Sequence, residues 1–179
     1  MTLHLITGGS RSGKSAYAQS LAESIPSAGR TYVATCPVLD EEMHERIDRH
    51  RRLREGRGWQ TVEAPVELAR AVAEAAPGHV VLVDCLTLWI NNLLYLAAQS
   101  GTGLDEDELA GLAEELARSC RARTKPVILV TNEVGMSIVP DNALARRYRD
   151  LVGRCNQVLA AAADEVTLVA CGCPMKLKT

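Results

Sequence analysis

The stretch "LHLITGGSRSGKS", residues 3–15, decides the fold of this chain. Its first residues are mostly apolar, as in a buried strand, and residues 8–15 then fit the pattern G-x-x-x-x-G-K-[ST]. A helical pattern begins directly afterwards. Strand, glycine-rich loop and helix in this order are the context in which that pattern forms a phosphate-binding loop. The sequence therefore predicts a nucleotide-binding protein of the P-loop class.

The chemistry of phosphate binding explains the residue types in this loop. Glycines let backbone N–H groups turn towards the phosphates, and the N-terminus of the following helix adds a favourable dipole. Lys14 is expected to reach the β- and γ-phosphates, and the Ser15 hydroxyl to ligate Mg²⁺. The predicted nucleotide-binding residues of the loop are Gly8, Gly9, Ser10, Arg11, Ser12, Gly13, Lys14 and Ser15.

The rest of the chain alternates short, β-branched runs with longer helical patterns. The predicted strands are 3–7, 31–35, 80–85, 126–131 and 165–170, with 61–65 as a further short candidate. The predicted helices are 14–25, 39–54, 65–76, 86–98, 106–123 and 142–162, the last of them capped by Asp141 or Asn142. This alternation predicts an α/β fold of the P-loop NTPase type, with a mostly parallel sheet flanked by helices in a single domain, 1–179.

Composition narrows the classes of partner. A net charge of −2 and only 3% aromatic residues argue against a nucleic-acid partner. The longest apolar run, "LTLWINNLLYLAA", is interrupted by Asn91 and Asn92, so no membrane span is expected, and no signal-peptide pattern opens the chain. Six cysteines without a C-x-x-C pair indicate reduced thiols in a cytoplasmic protein, and "CGC" at 171–173 offers too few ligands for a zinc site.

A second acidic residue is expected at the end of a strand in a P-loop protein. "VVLVDC", residues 80–85, supplies Asp84 after four apolar residues, where its carboxylate would support Mg²⁺. The alternative is that Asp84 caps the helix that follows. The later strand end "TNEVG", residues 131–135, lacks the N-K-x-D element of guanine-specific switch GTPases, so that class is disfavoured.

The basic segment "MHERIDRHRRLREGRGW", residues 43–59, contains two histidines. At 100° per residue, His50 shares a narrow helical stripe with Met43 and Ile47, whereas His44 lies at the edge of that stripe. Neutral imidazole is nucleophilic near pH 7 and can carry a phosphoryl-type group. Periodicity also fits a core histidine bonded to the backbone among solvated arginines, so both interpretations stay open.

Four stretches then point to one family. They are "LITGGSRSGKS" (5–15), "YVATCPVLDEEMHERIDRHR" (32–51), "DCLTLWINNLL" (84–94) and "TNEVGMSIVPDNALARRYRDLVGRCNQVLAAAADEVTLV" (131–169). In this order and spacing the chain closely resembles the bifunctional adenosylcobinamide kinase / adenosylcobinamide-phosphate guanylyltransferase family, from residue 3 to about residue 170. The resemblance implies phosphorylation of adenosylcobinamide with ATP or GTP. It then implies transfer of GMP from GTP through a guanylyl-histidine, giving adenosyl-GDP-cobinamide and pyrophosphate, in a homo-oligomer.

The same resemblance implies roles for individual residues. His50 is the expected nucleophile, acting together with Lys14 as a catalytic residue, and flanking arginines can grip phosphate. Glu63 is expected to accept hydrogen bonds from guanine, unless it is merely an exposed strand residue. The other implied nucleotide neighbours are Ala34, Thr35, Cys36, Arg51, Arg52, Leu53 and Arg54. The competing functions are an enzyme that has lost one of the two activities, a non-catalytic nucleotide sensor, and an unrelated small-molecule kinase.

Overall fold

One seven-stranded sheet forms the centre of the molecule. The computed structural model describes residues 2–36, 52 and 54–179. The strands are β1 (Leu3–Thr7), β2 (Gly29–Ala34), β3 (Trp59–Glu63), β4 (His79–Asp84), β5 (Val127–Val130), β6 (Glu165–Ala170) and β7 (Cys173–Lys178). Their order across the sheet is β3-β2-β4-β5-β1-β6-β7, and every neighbouring pair is parallel except β6 and β7. The predicted α/β fold with a mostly parallel sheet is confirmed.

Five helices connect the strands within the described ranges. They are α1 (Lys14–Ser24), α2 (Leu68–Glu74), α3 (Leu86–Gln99), α4 (Glu106–Arg121) and α5 (Ala143–Ala162). Of the two predicted caps for the last helix, it is Asn142 whose side chain accepts from the Ala145 N–H at 3.1 Å. The predicted helix 39–54 lies outside the described residues except at its end. Among the helices that are described, none has the length and apolar character needed to cross a bilayer.

The two faces of the sheet are buried in two separate cores. Successive residues of β4 alternate between them: Val81 and Val83 pack towards the core formed with α2, α3, α4 and α5. Val80 and Leu82 pack towards the core formed with α1. Because side chains alternate across a strand, a strand covered on both faces must be apolar throughout. This explains why the central strands read as continuous apolar runs in the sequence.

The strand β7 is an element that the sequence analysis did not predict. It runs antiparallel to β6 after a two-residue turn at Cys171 and Gly172, whose φ angles are +52° and +78°. A left-handed backbone conformation at both turn positions is usual in a tight hairpin. The sequence pairs that usually predict such a turn are Asn-Gly and Asp-Gly, whereas this turn is Cys-Gly. Pro174 also argues against a strand in the sequence, because proline cannot donate a hydrogen bond to a neighbouring strand. It is tolerated here because β7 lies at the sheet edge.

Candidate functional site

A cavity of about 450 Å³ opens at the edge of the sheet where the parallel strands end. Its wall contains nine of the residues that the sequence analysis predicted: Ser10, Arg11, Lys14, Ser15, Ala34, Cys36, Arg54, Glu63 and Asp84. The remaining wall residues are Tyr32, Thr61, Cys85, Thr87, Leu88, Asn132, Glu133, Val134 and Tyr148. Ligands of open α/β sheets bind at this carboxyl edge, because the strand ends and the helix N-termini meet there.

The phosphate-binding loop forms one side of the cavity. Lys14 is 8% exposed, and its ammonium donates to the Gly9 carbonyl at 3.0 Å. The loop is held from behind by the β6–β7 turn, where the Gly172 N–H donates to the Ser12 carbonyl at 2.8 Å. A Cβ atom on Gly13, where φ is +93°, would lie 3.2 Å from the Cα of Gly172. The loop therefore keeps its backbone close to the hairpin only because this position is glycine.

Asp84 lies at the end of β4, on the same cavity wall as Ser15. The residue that caps α3 is Cys85, and the helix has no side-chain cap hydrogen bond, so Asp84 is not used as a cap. A hydroxyl and one carboxylate are the protein donors that P-loop enzymes offer to Mg²⁺, with phosphate and water oxygens completing the set. No group of three His, Cys, Asp or Glu side chains converges in residues 2–36, 52 and 54–179. Ser15 and Asp84 fit such a nucleotide-borne Mg²⁺.

Tyr32 on β2 organises another part of the wall. The carbon at the centre of the Arg54 guanidinium lies 3.5 Å from the centroid of the Tyr32 ring, a cation–π contact, and Arg54 is only 5% exposed. Trp59 packs edge-on against the same ring, with centroids 6.3 Å apart. The contact leaves the guanidinium on the cavity wall, where a planar cation can bind phosphate.

Buried polar side chains hold the strand ends in place beneath the cavity. Thr35 is fully buried; its hydroxyl accepts from the Cys85 N–H at 2.9 Å and donates to the Cys85 carbonyl at 2.7 Å, which joins the ends of β2 and β4. The Thr87 hydroxyl accepts from the Asn132 amide at 2.8 Å and contacts the Cys85 sulfur at 2.9 Å. Burial, and secondarily Asp84, raises the pKa of the Cys85 thiol. Cys85 therefore stays protonated near neutral pH and acts as a structural residue.

Six predicted residues within the described ranges are not on the wall, and four of them belong to the loop: Gly8, Gly9, Ser12 and Gly13. Thr35 lies beneath the wall, and Arg52 is exposed and absent from it. Glu63 is both exposed and on the wall. The predicted nucleophile His50, the alternative His44, and Arg51 and Leu53 lie outside the described residues.

The sequence analysis missed four wall residues that follow β5 or lie on α5. Asn132, Glu133 and Val134 belong to the "TNEVG" stretch, whose sequence disfavours switch GTPases and carries part of the family resemblance. Because carboxyl ends of parallel strands share one edge, that strand end could have been predicted as part of the site. Tyr32 and Tyr148 carried no such signal, because each lies inside a strand or helix pattern.

Comparison with known proteins identifies relatives along almost the entire chain. Residues 4–177 match a family model described as "Cobinamide kinase / cobinamide phosphate guanyltransferase". The "Bifunctional adenosylcobalamin biosynthesis protein CobU" of Escherichia coli is 44% identical over 184 residues, covering 97% of this chain and 98% of that protein. The "Bifunctional adenosylcobalamin biosynthesis protein CobP" of Pseudomonas aeruginosa is 41% identical, covering 97% and 96%.

Solved structures with the same fold are much more distant in sequence. The flagellar accessory protein FlaH from Methanocaldococcus jannaschii superimposes with a TM-score of 0.52 at 16% identity, covering 99% of this chain and 78% of that one. An ATPase of the type III secretion system of pathogenic bacteria gives a TM-score of 0.55 at 13% identity, covering 93% and 50%. At such identities the similarity establishes the P-loop NTPase type of fold alone.

Proposed function

We infer the activity of this chain from one premise: it belongs to the cobinamide kinase / cobinamide phosphate guanyltransferase family. We propose that it phosphorylates adenosylcobinamide with ATP or GTP. It then transfers GMP from GTP to adenosylcobinamide phosphate, giving adenosyl-GDP-cobinamide and pyrophosphate. The observation that carries the proposal is the cavity wall, on which Lys14, Asp84 and Glu63 surround one space of nucleotide size.

The kinase step needs charge stabilisation more than covalent chemistry from the protein. The loop amides and the Lys14 ammonium bind the β- and γ-phosphates. The Arg54 guanidinium, held by Tyr32, offers a second cation on the wall of the same cavity. Ser15 and Asp84 would hold Mg²⁺, which neutralises phosphate charge when bound. These groups orient the γ-phosphorus towards the hydroxyl of the acceptor.

The guanylyl step is proposed to use His50 as the nucleophile. A neutral imidazole nitrogen forms a bond to the α-phosphorus of GTP while the bond to the β-phosphate bridging oxygen breaks and pyrophosphate leaves. A phosphate oxygen of the acceptor then attacks the same phosphorus, and the N–P bond breaks to return free imidazole. Support comes from the family resemblance and from Arg54, which follows His50 by four residues in the chain and lies on the cavity wall.

Labelled GTP tests this assignment directly. Incubation with GTP labelled at the α-phosphorus, in the absence of acceptor, should leave an acid-labile, base-stable label on the protein. His50→Ala should carry no label, whereas the matched control His44→Ala should retain it. A label that persists in His50→Ala would overturn the assignment of the nucleophile without touching the kinase proposal.

Separate assays of the two half-reactions distinguish the competing functions. Lys14→Ala should reduce both phosphorylation of adenosylcobinamide and guanylylation of its phosphate by 10²-fold or more, because one loop serves both steps. A wild-type enzyme active in only one assay would show that one activity has been lost. GTP binding without release of pyrophosphate in the presence of adenosylcobinamide phosphate would indicate a sensor. Turnover of other small alcohols but of no corrinoid would indicate an unrelated kinase.

Guanine recognition is proposed for Glu63. Its exposed carboxylate lies on the wall and can accept from the N1 and N2 hydrogens of guanine. Glu63→Gln should raise the KM for GTP about tenfold and raise the KM for ITP, which lacks the 2-amino group, by less. Equal effects on both nucleotides would assign Glu63 a role other than reading that amino group.

The proposal also covers the organisation of the protein. Strands from Leu3 to Lys178 share one sheet, which supports a single catalytic domain over residues 1–179. The family resemblance supports a cytoplasmic homo-oligomer. Light scattering of the purified protein gives the oligomer number, and a monomeric mass at working concentration would contradict that part of the proposal.

A further inference from the structure

The chain leaves the cavity through an exposed segment between β5 and α5. We call residues 135–142 the rim segment. It begins immediately after the wall residue Val134 and ends at α5, whose Tyr148 is again a wall residue. Both ends are tied down: the Ser137 hydroxyl donates to the Val134 carbonyl at 3.1 Å, and Arg146 donates to the Pro140 carbonyl at 2.8 Å. The rim segment therefore lies beside the mouth of the cavity.

The rim segment presents large aliphatic side chains to water. Met136 is 83% exposed, Ile138 is 93% exposed and Val139 is 58% exposed, and Leu144 in the first turn of α5 is 64% exposed. Four such residues within nine positions, bordered by polar ones, are typical of a surface that binds another molecule. Scattered single apolar residues need no explanation, but four within nine positions beside a ligand cavity do.

The size of the proposed acceptor decides what covers this surface. A cavity of about 450 Å³ is of the order that one nucleotide fills, so a corrin macrocycle cannot enter it together with GTP. Only the arm that carries the reacting hydroxyl or phosphate can reach inside. The macrocycle must then rest on a surface at the mouth. Its periphery carries methyl groups between amide arms, which matches aliphatic side chains next to exposed backbone.

We propose, on the basis of the function proposed above, that Met136, Ile138 and Val139 form the surface on which the corrin ring of the acceptor lies. Methyl groups of the ring pack on these side chains, and the amide arms bond to water and to the irregular backbone of the rim segment. The ring is thereby held outside the cavity while its arm points inwards past Val134 and Glu133. The rim segment then sets the KM for corrinoid and not the affinity for nucleotide.

The test compares the double variant Met136→Ser/Ile138→Ser with Leu177→Ser. Leu177 is also an exposed apolar residue, 59% exposed, but it lies on β7 next to Lys178, which bonds the carbonyls at the far end of α5. The rim variant should raise the KM for adenosylcobinamide phosphate about tenfold or more, from lost apolar contact. Its KM for GTP should stay within about twofold of wild type. Leu177→Ser should match wild type in both constants.

Each other outcome is decisive. If wild type turns over corrinoid and the rim variant has an unchanged corrinoid KM, the rim surface is not the acceptor site, while the proposed function stands. If wild type turns over no corrinoid, the proposed function fails and this inference fails with it. If light scattering shows that the rim variant has a lower oligomer mass than wild type and Leu177→Ser, the surface binds a second copy of this chain, and the inference is overturned.

Discussion

The hydroxyl of Tyr32 on β2 donates a 3.3 Å hydrogen bond to Oδ2 of Asp84 on the neighbouring strand β4. Burial, and secondarily the Asp84 charge, raises the pKa of Tyr32 well above its usual range, so the phenol keeps its proton and donates to the carboxylate. The face of the same ring holds the Arg54 guanidinium at 3.5 Å. One side chain thus positions both the carboxylate proposed for Mg²⁺ and a cation proposed for phosphate.

Tyr32→Phe should separate these two contacts. The ring remains against Arg54, but Asp84 loses a donor that fixes its orientation. We expect the Mg²⁺ concentration for half-maximal velocity to rise about threefold to tenfold, from the loss of one hydrogen bond to a charged group. The KM for GTP at saturating Mg²⁺ should change little. Titration of initial velocity with Mg²⁺ at fixed GTP measures the Mg²⁺ requirement, and titration with GTP at saturating Mg²⁺ measures the KM.

Tyr32→Leu is the companion variant, since it removes the hydroxyl and the aromatic face together. It should raise the Mg²⁺ requirement as Tyr32→Phe does and also raise the KM for GTP, because the Arg54 guanidinium loses its cation–π partner. Identical kinetic constants for the two variants would show that the ring does not position Arg54 for the nucleotide.

Gly8 and Gly9 should respond very differently to alanine. A Cβ on Gly8 would lie 2.3 Å from the Val169 carbonyl oxygen, a backbone atom of β6, whereas a Cβ on Gly9 would meet nothing within 4 Å. Gly8→Ala should lower the free energy of unfolding by about 2 kcal/mol, because loop and strand must separate, and Gly9→Ala by less than about 0.5 kcal/mol. Urea unfolding followed by circular dichroism measures both. Equal losses would contradict the close packing of the loop on β6.

The strands that are buried in the core could be predicted, because burial leaves a run of apolar residues in the sequence. β1, β4 and β6 are buried on both faces, so their apolar runs had few other interpretations. β7 was not predicted, because all its residues are exposed and the strand therefore shows no apolar pattern. Its position depends on hydrogen bonds to β6 and on the contact of its turn with Ser12, neither of which leaves a periodic trace.

The candidate site was predictable in part for a related reason. Lys14, Ser15 and Asp84 were predicted because a local motif or a strand end announces them. Tyr32 was not, because it lies two residues before the end of β2 and reads as an ordinary strand aromatic. Its role depends on which strands are neighbours, since β4 and not β1 lies beside β2. Strand order is a tertiary property that one sequence pattern does not encode.

Thiol labelling should divide the cysteines by burial. Burial raises the pKa of Cys120 and of Cys155 to about 12, and both are fully buried, whereas Cys171 and Cys173 are exposed. Iodoacetamide at about pH 8 should therefore modify the exposed pair at least 10²-fold faster, since the thiolate is the reactive form. Peptide mass spectrometry over time measures the rates. In urea all four should react alike, and comparable rates in the folded protein would contradict the burial of Cys120 and Cys155.

The lowered pKa of His4 should make the free energy of unfolding fall as the pH drops into the mildly acidic range. Burial lowers its pKa below 6.5, and the charges of Glu165, whose Oε2 lies 3.6 Å from Nδ1, and of Asp164 offset this only in part. Between the lowered pKa and 6.5 the unfolded chain binds more protons than the folded one, so the free energy of unfolding is highest above 6.5 and falls as the pH drops below it. Urea unfolding between about pH 7.5 and 5.5, above the range where carboxylates titrate, measures the slope. His4→Gln should flatten that slope, and Glu165→Gln should steepen it by removing the charge that raises the pKa of His4. A slope unchanged in both variants would show that His4 does not carry the acid sensitivity.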